Sequence, residues 1–227
     1  MEQNKTGKYL KYAIGEIVLV AIGILIALSV AEWNNTRHDI ETENRLLKEL
    51  QQGIIQDLKT IKTKLEKTNT AINNLILLDS LLKLDIPKPS ANLNVLFGNV
   101  FGMKSLSLNK ALYEDLKSVG FGVIRDEKLR KQIINVFENN YKNFELQKES
   151  EEIINQVIRP YYLTNFVSIQ FSKYATPKNV KALWEDSYYK NILNYRLVTL
   201  QGNQKVNYEN AIIEIKKLLE LLEQNIK

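Results

Sequence analysis

Ile17–Ala31 reads IVLVAIGILIALSVA, fifteen residues without a charge, with Lys8, Lys11 and Glu16 before it and Glu32, Trp33 and Asn34 after it. A bilayer core of roughly 30 Å asks for about 20 helical residues at about 1.5 Å each, so a membrane span extends beyond this run at both ends. The spacing predicts a transmembrane helix over 12–33, which takes Glu16 inside, a cytoplasmic tail at 1–11 and one domain at 34–227.

Lys5, Lys8 and Lys11 outnumber Glu2 in the tail, and the positive-inside rule then keeps the N-terminus in the cytoplasm. The expected location is the bacterial inner membrane, with the C-terminal domain in the periplasm. Trp33 is placed as an aromatic anchor at the outer interface, and Tyr9 and Tyr12 at the inner one. A cleaved signal peptide competes with the anchor, with Ser29-Val30-Ala31 as its small-residue cleavage site. Against it stand the length of the apolar run, Glu16 at its start and a helical pattern that continues past the cut.

Gly15, Gly23, Ala27 and Ala31 recur at multiples of four, a small-xxx-small face on which a second helix packs closely. With Glu16 they are the candidate residues for contact with another membrane protein or for self-association within the lipid bilayer. Glu16 itself has three readings. It snorkels to the cytoplasmic interface, it serves packing, or it carries protons in a stator-like or sensory subunit of a membrane complex.

The rest of the chain reads as all-α. From 36 to 84 there is no proline and one glycine, and Leu47, Leu50, Ile54, Leu58, Ile61, Leu65, Ile72 and Leu75 follow helical steps. This long helix is expected to continue the span and to stop at Pro87 and Pro89. Residues 87–104 read as a connection with an apolar patch, Leu93 to Val100. Ser107 or Asn109 is expected to cap a helix ending at Gly120, and Asp126 the next, which carries Leu129, Ile133, Phe137, Tyr141 and Phe144 until Pro160 ends it. Thr176-Pro177 is expected to open another helix. The last helix, from about Ser187, bears Tyr208, Ile212, Ile215, Leu219, Leu222 and Ile226 as a coiled-coil seam. Two long and two shorter amphipathic helices predict a long-helix antiparallel bundle of the four-helix type behind the transmembrane helix.

The run KYLKYAIGEIVLVAIGILIALSVAEWNN resembles the N-terminus of an uncharacterised family of single-span membrane proteins of Bacteroidetes, whose signature is KYxxYAIGEIxLVxIGILIAL with a tryptophan and an asparagine shortly after. Where that family has a sequence closer to Gln-Ile-Asn after the span, this chain has Ser29, Val30 and Ala31. A looser likeness covers Asn109 to Gly120, Ile124, Leu129 and Arg130. The resemblance implies location and architecture and names no reaction.

The 227 residues include no cysteine, which leaves no thiol chemistry, and one histidine, His38, so a histidine-based zinc site or a triad would have to be built around a residue just outside the membrane, far from an expected cleft. Phosphate loops, HExxH, EF-hand and G-x-S-x-G motifs are absent. The adjacent acids Glu151-Glu152 and Glu185-Asp186 point about 100° apart on a helix and read as solvated-face or cap residues. A net charge of +5 is spread along the helices without a basic block, so no nucleic acid is expected as a partner. Tyr161, Tyr162, Phe166, Trp184 and Tyr188 form an aromatic group that lines a ligand pocket or, as the preferred reading, fills a core. Together these readings predict a non-enzymatic interaction or scaffold protein without cofactor, metal, catalytic residue or small-molecule substrate.

Overall fold

The computed structural model describes residues 15–86, 89–101 and 106–226, together with the backbone of 3–14. Tyr9 and Tyr12 lie outside the residues whose side chains are described. The protein is all-α, with 84% of the described residues helical and one long apolar N-terminal helix. It divides into two units, Met1–Leu47 and Lys48–Ile226. Helix α1 spans Gln3–Leu81.

In the first unit, α1 is long and apolar enough to cross a membrane by length and composition. Its large apolar side chains from Ile17 to Val30 are 47–71% exposed. Ser29, the polar residue in that run, donates its hydroxyl to the Leu25 carbonyl at 2.8 Å, which satisfies it within the helix.

In the second unit, α1 buries Leu50, Ile54, Ile61, Ile72 and Leu75 and leaves Leu58 and Leu65 half-buried. The expected connection after it contains a helix, α2 (Ala91–Val100). Ser90 caps α2 by accepting from the Leu93 N–H at 3.2 Å, and Leu93, Leu96, Phe97 and Val100 face the core at helical spacing. Helix α3 (Ala111–Val119) begins where Asn109 accepts from the Ala111 N–H at 2.9 Å and ends at Gly120, whose φ of +96° suits glycine.

Helix α4 (Glu127–Asn135) starts on Asp126, which accepts from the Leu129 N–H at 2.6 Å. A π-helical turn, Val136–Tyr141, joins it to α5 (Lys142–Asn165). Pro160 does not end α5. It sits on the exposed side, and the helix persists because Tyr162, one half-turn on, is wholly buried and donates to the Phe97 carbonyl at 2.8 Å.

The aromatic stretch then forms an antiparallel hairpin, β1 (Phe166–Gln170) and β2 (Tyr174–Pro177), with Ile169 opposite Ala175. Thr176-Pro177 therefore closes a strand and does not open a helix. Asn179 caps α6 (Val180–Glu185) instead, accepting from the Ala182 N–H at 3.1 Å. The hairpin rests directly on α2: a Cβ on Gly98 would lie 2.3 Å from the Tyr174 backbone nitrogen, so only glycine admits this approach.

Asp186 caps α7 (Ser187–Thr199), and a second π-helical turn, Leu200–Lys205, leads into α8 (Val206–Asn225). Contacts of Phe144 with Tyr208, Glu151 with Arg196 and Tyr162 with Tyr189 run α5 antiparallel to the α7–α8 run. The buried line of α8 is Tyr208, Ala211, Ile215, Leu218 and Leu222. Ile212, Leu219 and Ile226 from the expected seam are half-buried beside it. The expected phase is rotated because small Ala211 takes an inward place that a bulkier-residue count passes over.

Candidate functional site

On the face of α5 that meets α7, the buried line changes character along its length. Phe137, Tyr141 and Phe144 give way to Gln147, Glu151 and Asn155, and these to Ile158 and Tyr162. Arg196 fills the gap opposite. Its two Nη atoms donate to the two oxygens of Glu151 at 2.7 and 2.8 Å, with the side chains 1% and 4% exposed. Such a two-pronged, dry ion pair offsets the large cost of burying either charge alone and clamps the two helices at one height. Glu151 is thus a core residue, which corrects its reading as a solvated acid. Glu152 remains half-exposed and Asp186 is a cap.

Above this clamp the same helices form an open groove. A cavity of about 310 Å³ is lined by Ile153, Ile154, Val157 and Ile158 of α5 and by Tyr188, Asn191, Ile192 and Tyr195 of α7. Ile153, Val157, Tyr188 and Tyr195 are 51–64% exposed and form an apolar strip along the groove. One to two turns back along α5 the walls turn polar. A second cavity of about 210 Å³ lies between Asn143, Leu146, Gln147 and Ser150 and, across from them, Asn203 and Asn207. The first cavity is walled by apolar side chains and the second mainly by amide groups.

The aromatic candidates separate. Tyr162, Phe166 and Trp184 lie in the core, with Tyr161 packed partly buried against it. Their polar tips are engaged: Tyr161 donates to Asp186 at 2.6 Å, Trp184 to the Leu84 carbonyl at 3.0 Å, and the Tyr162 and Tyr189 hydroxyls meet at 3.3 Å. Burial above all, and then the Asp186 carboxylate, raise the Tyr161 pKa, so the phenol stays a donor. Tyr188 alone of the five is exposed, on the groove wall.

In the first unit Gly15, Glu16, Gly23, Ala27, Ala31 and Trp33 are all exposed on α1. A Cβ at Gly15 or Gly23 would meet nothing within 4 Å, so the small-residue face is open. Glu16 stands seven residues before Gly23, two helical turns along the same face.

The sequence reading missed the clamp and the groove. A signal for the first was present: Arg196 falls in the line Tyr189, Leu193, Arg196, Leu200, where helical steps demand an inward side chain. No protein-family model, curated protein or solved structure matches the chain.

Proposed function

We propose that this chain is a single-span, inner-membrane-anchored interaction protein that holds a helical bundle in the periplasm and docks a helix of a protein partner in the α5–α7 groove. It binds and does not turn over a substrate. The observation that carries the reading is the exposed strip Ile153, Val157, Tyr188 and Tyr195 along a groove whose walls are locked together by Glu151 and Arg196. The charge-free run of α1, and its resemblance to the Bacteroidetes single-span family, support the anchor and the orientation with the N-terminus inside.

Native electrophoresis of solubilised membranes tests it. The full chain should run in a complex well above its own 26.3 kDa. Val157→Asp and Tyr195→Asp should return it to the monomer, whereas Leu163→Asp, an equally exposed apolar site outside the groove lining, should leave the complex intact. A monomer from the wild type, or indifference to the groove variants, overturns the docking reading. The stator-like alternative is separated by Glu16→Gln, which leaves assembly intact and abolishes function only if an exchangeable proton there is required.

A further inference from the structure

Helix α1 and the tip of the hairpin enclose a larger concavity of about 420 Å³, which shares no lining residue with the α5–α7 groove. Three of its lining residues are lysines: Lys64 and Lys67 from α1, and Lys173 from the β1–β2 turn. No acidic residue is among the described residues that line it. Neither Lys67 nor Lys173 forms an ion pair with a described residue, although lysines elsewhere in the described chain, such as Lys83, Lys110, Lys131 and Lys217, do. Lys67 and Lys173, which share the concavity without a counter-charge among the described residues, repel one another, and an arriving anion relieves that repulsion.

The floor is polar as well. Thr68 and Asn99 line the concavity while only 3% and 7% exposed. On the same helix Thr60, Thr63 and Thr70 each return their hydroxyl to the carbonyl four residues back at 3.0 Å. Thr68 makes no such bond to a described residue, so its hydroxyl is left for the concavity. At the rim Phe171 is 63% exposed and is pinned edge-on against Phe101, with ring centres 4.9 Å apart, which fixes an apolar face beside the lysines. The turn that carries Lys173 holds Ser172 at φ +59°, so the placement of this lysine is built by an uncommon backbone conformation.

We infer that this concavity is an oxyanion site that takes a phosphate ester. Lys67 and Lys173 hold the phosphate, the Thr68 hydroxyl donates to one of its oxygens, and the organic part lies against the Phe171 ring. Two compact ammonium groups suit a multiply charged tetrahedral anion, and a volume of 420 Å³ exceeds the phosphate itself, leaving room for what carries it. The ester has two sources, a soluble phosphorylated molecule or the headgroup of an anionic lipid.

Calorimetric titration of the full chain in phosphatidylcholine nanodiscs with phenyl phosphate tests the site. Saturable binding is expected, weakened by salt and weaker for inorganic phosphate, which lacks the ring. Lys67→Glu and Lys173→Glu should each weaken it by about tenfold or more. Both lysines are exposed, so the variants keep their fold, which circular dichroism checks. Lys128→Glu and Lys216→Glu make the same change of net charge elsewhere and should bind as wild type. Added vesicles containing phosphatidic acid, a lipid with a phosphomonoester headgroup, then separate the sources. Competition with phenyl phosphate that depends on Lys67 and Lys173 assigns a lipid headgroup, and undisturbed binding assigns a soluble ester. Absence of saturable binding to phenyl phosphate, or equal losses in the control variants, overturns the proposal.

Discussion

A charge removed from water must be met in kind, and Arg196 is the residue where this chain does so. Replacing it with methionine takes the guanidinium from the buried Glu151 carboxylate, and should cost about 3–5 kcal/mol in thermal unfolding. Glu151→Leu combined with Arg196→Met should recover most of that loss, because an apolar pair needs no counter-charge. A double variant no more stable than Arg196→Met would show that the helices need the pair itself. Glu214 illustrates the other use of a carboxylate. Gln132 donates to it at 2.9 Å, Lys217 at 2.7 Å and Asn135 at 3.0 Å, and these bonds, Gln132's first and then that of Lys217, lower its pKa against the opposing effect of burial. A carboxyl whose pKa falls on folding stabilises the fold above its unfolded value and loses that contribution as pH drops through the folded one. The advantage of wild type over Glu214→Gln should therefore be constant above about pH 5 and vanish on further acidification. An advantage independent of pH would reject that assignment. The two residues differ in how far the sequence betrays them: Arg196 sits at an inward helical step, while Glu214 on a half-buried flank carries no mark of its role.

At the scale of elements, local chemistry announced some helix starts and missed others, such as those at Ser90 and Asn179. Asp126 and Asp186 cap as their positions indicate, because a side-chain acceptor before an apolar stripe acts within one turn. Tertiary effects were not announced. Pro160 reads as a stop but is carried through by the burial of Tyr162, and the hairpin exists because Gly98 lets it lie on α2, a contact between residues 76 apart in sequence. The π-helical turns were hidden for another reason. Buried positions Arg196, Leu200, Gln204 and Tyr208 advance by fours, which an α-helix at 3.6 residues per turn cannot keep on one side. The turn at Leu200–Lys205 absorbs the surplus residue. Deleting Gly202, where an added side chain would meet nothing, should let that segment close as ordinary α-helix with Tyr208 and Ile215 still facing inward. Deleting Lys216 instead rotates the C-terminal remainder of α8 by about 100° and should unfold its buried line. Equal melting temperatures for the two deletions would contradict this account.

At the scale of the molecule, residues 36–227 expressed without the span should give a mostly helical, cooperatively melting protein, since Lys48–Ile226 encloses its own core. Ile215→Asp, which puts a charge at a wholly buried position, should lower its stability by about 3 kcal/mol or more. A circular dichroism spectrum dominated by sheet, or an unchanged melt for Ile215→Asp, would defeat this expectation. The Glu151–Arg196 clamp also limits how such a body conveys motion. Sliding α5 past α7 by one turn, about 5.4 Å, would bring Arg196 opposite Gln147 or Asn155 and leave two unmatched charges in a dry interior. A sliding or twisting of these two helices against each other therefore costs the pair, about 3–5 kcal/mol, and the clamp holds α5 and α7 in one register.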